Sequence, residues 1–198
     1  MELIGDEWEK FYNLNTLFSV FYYPLENYYG VVGSASWKAE LVTPFESNKA
    51  AEEFNLDYIS FTWGGENKLI LKDESYGMSG FYHNKKDGSC AVSQIDKRCG
   101  IIWQFYEKSV FLGSELSFAQ AYADLMKPIE TQGKMTSVKM TYVHTFNLFN
   151  AVVTLAPPTS EVGIGPGGIT VSNTPGASLE ISNTKDSWQI QMDVILDY

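Results

Sequence analysis

Across residues 138–148 the chain alternates between apolar and polar side chains, and that period of two excludes a helix there. Val138, Met140, Tyr142, His144, Phe146 and Leu148 share one face, while Ser137, Lys139, Thr141, Thr145 and Asn147 share the other. Only Val143 breaks the polar side. Such a strand must lie in a sheet, with one face on a core and the other solvated or turned to a partner. The strand-like run 135–155 exceeds a normal strand, so a bend near Asn147 or Asn150 is expected.

The same period recurs at the C-terminus. Trp188, Ile190, Met192, Val194 and Leu196 form one apolar stripe. Left in water it would be an aggregation edge, so these five residues are interface candidates, to be covered by the body or by another subunit. Just before it, Val171-Ser172-Asn173-Thr174 is echoed as Ile181-Ser182-Asn183-Thr184, each copy followed by a turn-forming pair. The echo predicts a short β-meander.

Residues 16–23, 28–38 and 101–112 also read as strands. Gly64-Gly65 between 56–63 and 68–72 predicts a hairpin, and Asp87-Gly88 predicts a second between 80–83 and 90–95. Two segments read as helices. Asp6 and Glu9 have the spacing of a capping box over 6–14. In 114–126, Leu116, Ala119, Ala123 and Met126 recur at helical spacing after a capping Ser114, and Pro128 ends the run. Residues 44–54 are polar and rich in Ala and Glu, enough for one or two helical turns. The expected fold is mainly β, an antiparallel β-sandwich or barrel-like body with one or two short helices, plus a C-terminal β-meander. The expected division is a main β-rich domain over 1–155, a Pro/Gly-rich linker over 156–168, and the meander over 169–198.

Composition narrows the function. The chain carries 12 Phe, 12 Tyr and 5 Trp, ample for a core, and its charged residues make up only 19%. The net charge is −10, and the densest basic cluster is Lys85-Lys86. A phosphate backbone would be repelled, so nucleic acid is not an expected partner, and anionic membrane surfaces are disfavoured for the same reason. No apolar run approaches the roughly 20 residues of a spanning helix, so no membrane partner is expected. The start Met1-Glu2-Leu3-Ile4-Gly5-Asp6-Glu7 is acidic where a secretion signal is basic, and a cytoplasmic origin is expected. Cys90 and Cys99 flank a polar stretch; a hairpin disulfide is one arrangement, and reduced thiols suit a cytoplasmic product better.

No catalytic set stands out, and the chain is expected not to be an enzyme. His83 and His144 are the only histidines, and without C-x-x-C or a helical histidine pair zinc lacks its usual ligands. His144, on an apolar face, reads as a hydrogen-bonded core residue. His83 lies near Cys90, but a nucleophilic dyad also needs an orienting group and an oxyanion hole. Glu52-Glu53 and Asp73-Glu74 are adjacent pairs that a strand would point to opposite faces, unlike the paired carboxylates of glycoside hydrolysis. Gly163-x-Gly165-x-x-Gly168 contains Pro166 and is followed by β-like residues, so it lacks the strand–turn–helix context of a dinucleotide site. No cofactor and no metal are expected. Aromatic residues offer one binding device. Tyr28, Trp37 and Trp63 are candidates to stack on sugar rings, with core packing as the competing role.

The stretch 161–174, Glu-Val-Gly-Ile-Gly-Pro-Gly-Gly-Ile-Thr-Val-Ser-Asn-Thr, resembles the short-repeat β-segments of phage tail, baseplate and fibre proteins. The resemblance covers 161–198, is one of composition, and carries no functional residues. It implies a virion component. Short Gly/Thr/Ser/Asn-rich strands become stable by packing on copies of themselves or on other subunits. The expected function is therefore a structural assembly protein that self-associates and binds other structural proteins. The alternative is a carbohydrate-binding β-sandwich acting in attachment.

Overall fold

The computed structural model describes residues 1–11, 14–37, 56–65, 69–82, 85–87, 90–106, 108–109, 114–127, 136–145, 152–156, 160–165, 168–173, 178–182 and 187–196. Its strands are β1 (Glu2–Phe11), β2 (Leu14–Tyr23), β3 (Tyr28–Trp37), β4 (Leu56–Gly65), β5 (Ile70–Tyr82), β6 (Lys85–Asp87), β7 (Ala91–Asp96) and β8 (Gly100–Tyr106). They continue as β9 (Lys108–Ser109), β10 (Ser114–Met126), β11 (Thr136–Thr145), β12 (Val152–Ala156), β13 (Ser160–Gly165), β14 (Gly168–Asn173), β15 (Ser178–Ser182) and β16 (Ser187–Leu196). Among the described residues there is no helix.

Two antiparallel sheets face each other as a β-sandwich. The seven-stranded sheet runs β1-β2-β3-β10-β5-β6, with β9 beside β10, and the five-stranded sheet runs β16-β11-β4-β8-β7. Alternate residues fill the space between them. Phe18, Val20, Val31 and Ala121 come from the first sheet, and Ile59, Phe61, Trp103, Met140 and Ile190 from the second. Phe18 meets Phe61 across the gap at 5.9 Å between ring centroids, and Trp103 lies edge-on to Phe61 at 5.2 Å. Those offset and edge geometries suit the ring quadrupoles. Gly33 permits the close approach, because a Cβ there would sit 2.7 Å from Phe61 Cε1.

Both segments expected to be helical are strands. β1 pairs with β2, with Asp6 opposite Ser19, so the capping-box spacing competes with a ladder that is unbroken from Gly5 to Phe11 and loses. β10 is a central strand between β3 and β5. Ala119, Ala121, Ala123 and Leu125 are fully buried, while Gln120, Tyr122 and Met126 are exposed. Alanine favours helices by propensity, but strand preference follows the packing environment, and here two flanking strands satisfy the backbone on both sides. The alanines let the facing sheet approach.

Neither expected hairpin forms as read. β4 does not fold back on β5. The chain instead turns a corner from one sheet to the other, with Trp63 N donating to Cys99 O (2.9 Å) and Leu71 N to Lys97 O (2.8 Å). Farther on, β5 pairs with β6, so Gly80 opposes Asp87, and β7 pairs with β8. The C-terminal meander is also replaced. β14 pairs with β13 and β15 with β12, nesting one two-stranded ribbon inside the other, while β16 joins the main sheet beside β11. The echoed segments are thus not neighbours. Part of the polar face of β11 is covered as well: Ser137 and Thr141 are buried, Lys139 is half-buried, and Ser60 Oγ donates to Thr141 O at 3.4 Å.

Candidate functional site

The β2–β3 hairpin sets Tyr22 opposite Tyr29 and Tyr23 opposite Tyr28. Pleating sends the two pairs to opposite faces of the sheet. Tyr29 enters the core, with Tyr22 beside it at 5.0 Å between centroids. Tyr23 and Tyr28 stack on the outer face, 4.5 Å apart and 11° from parallel. Gly30 makes room for that stack, since a Cβ there would lie 2.9 Å from Tyr23 Cε2.

The turn between the strands carries Leu25, which is 94% exposed. Asn27 closes it in the left-handed region (φ 53°), which asparagine tolerates. The Tyr22 hydroxyl donates to Asn27 Oδ1 (3.1 Å) and Asn27 Nδ2 donates to Lys127 O (3.2 Å). Lys127 N returns a bond to Asn27 O (3.4 Å). The turn is therefore fastened to the end of β10.

From Tyr28 a row continues across the sheet, through Met126 of β10 to Ile70 of β5. Met126 is 43% and Ile70 38% exposed. Between Ile70 and Tyr76 the register of β5 shifts: Leu71 opposes Leu125 and Tyr76 opposes Ala123, leaving residues 72–75 against Asp124 alone. Glu74 takes a left-handed conformation (φ 57°) within this bulge. A bulge re-aims side chains, and this one brings Lys72 Nζ to 4.6 Å from the Tyr28 ring centroid and lets Ser75 Oγ donate to Asp124 Oδ2. Because β2 and β5 lie on opposite sides of β3, the Tyr28 ring sits between Tyr23 and Lys72. Lys127 Nζ stands 5.9 Å from the Tyr22 ring. Desolvation raises the Tyr28 phenol above its ordinary pKa, and Asp124, Tyr23 and Glu26 add to it. Desolvation lowers Lys127 below the usual lysine value.

The patch extends to β1. Leu3, opposite the half-buried Phe21, is exposed, and the Tyr23 hydroxyl donates to Met1 Sδ at 3.3 Å. One end of the outer face thus presents an aromatic and aliphatic surface bearing Lys72. Exposed patches of this kind mark interaction sites.

The other sequence candidates lie elsewhere. Trp63 is enclosed in the core with Nε1 donating to Leu69 O (3.0 Å), so it offers no ring face to a sugar. Trp37 ends β3, and its side chain lies outside the described residues. Ile190, Met192, Val194 and Leu196 are buried in the sandwich's own core. That stripe is covered by the body, which leaves no subunit interface on it. Trp188 pairs with His144 through the backbone, and its side chain is not described. His83 lies outside the described residues.

His144 does sit in a polar group. Its Nδ1 is 3.1 Å from Asp57 Oδ1, and the Tyr142 hydroxyl donates to Asp57 Oδ2. All three are buried, out of reach of a substrate in bulk water. Cys90 and Cys99 are thiols, and burial pushes Cys99 up to about 11, with Asp96 contributing. Among the described residues no three His, Cys, Asp or Glu side chains cluster as metal ligands.

Sequence reasoning singled out Tyr28 but not Lys72, Asp124, Met126 or Ile70. Their convergence depends on the strand order and the bulge. The signal available was the symmetry of Tyr22-Tyr23 and Tyr28-Tyr29 about a four-residue turn.

No known protein family matches the chain, and no curated protein does. Solved structures do match at the level of architecture. The collagen-binding domain of a Staphylococcus aureus adhesin aligns over 68% of this chain and 87% of its own, with 7% identity and a TM-score of 0.39. The Clostridium perfringens NetB toxin in its membrane-inserted form aligns over 100% and 96%, with 6% identity and a TM-score of 0.44. ACE19, the collagen-binding subdomain of an Enterococcus faecalis surface protein, aligns over 84% and 88%, with 9% identity and a TM-score of 0.36. These are likenesses of β-rich architecture.

Proposed function

We propose that the protein is a non-catalytic attachment module. Its contact surface is the outer end of the seven-stranded sheet. The observation that carries the reading is the row Tyr23–Tyr28–Met126–Ile70, built on four adjacent strands and held by a turn tied down through Asn27. A core has no use for a stacked tyrosine pair on its outer face, and an exposed aliphatic row costs solubility unless something covers it. Antiparallel strands fix the row rigidly, which lowers the entropy lost on binding. The non-catalytic part of the reading is supported by the burial of Asp57, Tyr142 and His144.

A role in permanent assemblies, the first expectation from the sequence, is the second reading. The low share of charged residues, 19%, favours it. A virion setting rests on the composition of 161–198 alone.

Two measurements test the proposal. Light scattering after size exclusion gives the oligomeric state. Immobilised ligand panels, glycans and matrix proteins included, are screened with the intact protein and with Tyr28→Ala. Retention of any ligand that drops at least tenfold in the variant, with the thermal transition unchanged, supports the attachment surface. Equal retention by both overturns it.

A further inference from the structure

We propose that this end of the sheet docks on the surface of a zwitterionic lipid bilayer, with Leu25 entering the acyl boundary and Tyr23, Tyr28, Met126 and Ile70 lying at headgroup level. The inference rests on the attachment reading and names the partner.

Four observations choose the lipid surface over other occupants. First, Leu25 lies beyond the last paired residues of the hairpin, Tyr23 and Tyr28, and is almost wholly exposed at the turn. An exposed leucine at a tip, backed by a tyrosine pair, reproduces the order in which a bilayer changes from hydrocarbon to interface. Tyrosine suits that interface, with an apolar ring and a wet hydroxyl. Second, Lys72 flanks the row, its ammonium group 4.6 Å from the Tyr28 ring centroid. Its long stem lets it reach a lipid phosphate while its apolar part stays against the sheet.

Third, a sugar would need a bare ring face, whereas Tyr28 lies between Tyr23 and Lys72. Fourth, a two-fold contact between copies of this surface would bring the two Lys72 ammonium groups toward one another, and each chain carries a net charge of −10, so the copies repel. That same charge restricts the membrane. Anionic lipid is repelled by the body, so the neutral, zwitterionic surface is the one accepted. The expectation of no membrane partner was drawn from the charge and from the lack of a spanning helix, and among the described residues no helix is long and apolar enough to cross. Docking at the interface requires no span.

The test is co-sedimentation of the intact protein with sucrose-loaded vesicles of pure phosphatidylcholine at millimolar lipid. Leu25→Ala should reduce the bound-to-free ratio about tenfold, the cost of three lost methyl(ene) contacts with hydrocarbon after partial burial. Leu25→Trp should raise it. Val92→Asp, an exposed apolar site on β7 of the other sheet, should leave it unchanged. Replacing a third of the lipid with phosphatidylserine should weaken binding. Absence of wild-type binding to phosphatidylcholine overturns the proposal, as does equal binding by wild type, Leu25→Ala and Leu25→Trp. Retention on a glycan or matrix protein that depends on Tyr28, together with no vesicle binding, overturns the lipid assignment and leaves the attachment surface standing.

Discussion

Tyr142 donates its phenolic hydrogen to the carboxylate of Asp57 inside the sandwich, and His144 approaches the same carboxylate from the next inward position of β11. A buried charge is tolerated only when its hydrogen-bonding capacity is filled. The group closes one end of the core, where Phe105 stands 6.4 Å from the Tyr142 ring. Tyr142→Phe keeps the ring and removes one bond to a charged acceptor. It should cost about 1.5–3 kcal/mol in urea unfolding. A midpoint shift equivalent to less than about 0.5 kcal/mol would show that the hydroxyl is not needed there.

Two glycines should respond differently to alanine. A Cβ at Gly33 meets Phe61 Cε1 at 2.7 Å, inside a core that cannot give way. A Cβ at Gly77 meets Tyr122 Cε1 at 2.9 Å, but Tyr122 is 49% exposed and free to swing outward. Gly33→Ala should destabilise by about 1–3 kcal/mol through overpacking. Gly77→Ala should be near neutral. Comparable losses of thermal stability in the two variants would mean that the sheets are not packed as closely at Gly33 as the geometry requires.

Much of the fold could be read from period-two patterns, and the exceptions have specific causes. β11 and β16 were legible because an apolar or aromatic side chain recurs at every second position along each, with only Val143 and Ile195 departing from the polar side. β10 was not, because Ala119 and Ala123 fit a helical stripe as well as Ala119, Ala121 and Ala123 fit a strand. Alanine carries no shape information that separates the two. Pairings were the least legible. Gly64-Gly65 looks like a hairpin turn, yet the chain there crosses between sheets, and only the bonds from Trp63 and Leu71 to the β7–β8 turn record it. The site suffered the same limit. Its tyrosines could be seen in the sequence, while Lys72 and Ser75 reach Tyr28 and Asp124 only through a bulge that the neighbouring strand imposes.

Cys99 predicts an alkaline limb to stability. Its thiol is raised from 9.0 to about 11 in the folded protein, chiefly by burial. A group whose folded pKa lies above its unfolded value favours folding below the unfolded pKa. That contribution is lost as pH rises through the folded pKa. The loss should fall between pH 9 and about 11. Urea midpoints should decline across that window in the wild type and decline less in Cys99→Ala. At pH 8 a thiol reagent should modify Cys99 slowly, with Cys90, which is less buried, reacting first. Fast modification of Cys99 at pH 8 in the folded protein would contradict the burial.

The last prediction separates the two faces of β16. Ile190 pairs with Tyr142 in register and is buried in the core, whereas Gln191 pairs with Thr141 and is exposed. One residue along the strand therefore moves a side chain from a dry interior to water. Ile190→Asp removes a large apolar side chain and places an unpaired carboxylate in the buried apolar core. The cavity alone costs about 2–5 kcal/mol, and the unpaired carboxylate adds to it. That approaches the whole stability of a domain this size, so Ile190→Asp should be insoluble or unfolded. Gln191→Asp should unfold within about 0.5 kcal/mol of wild type. Because the stripe is sealed by its own chain, the failure of Ile190→Asp should appear in the monomer, as lost far-ultraviolet β signal and urea cooperativity. A variant that stays folded but changes only its oligomeric state would instead place the stripe at a subunit interface and refute its burial in the core.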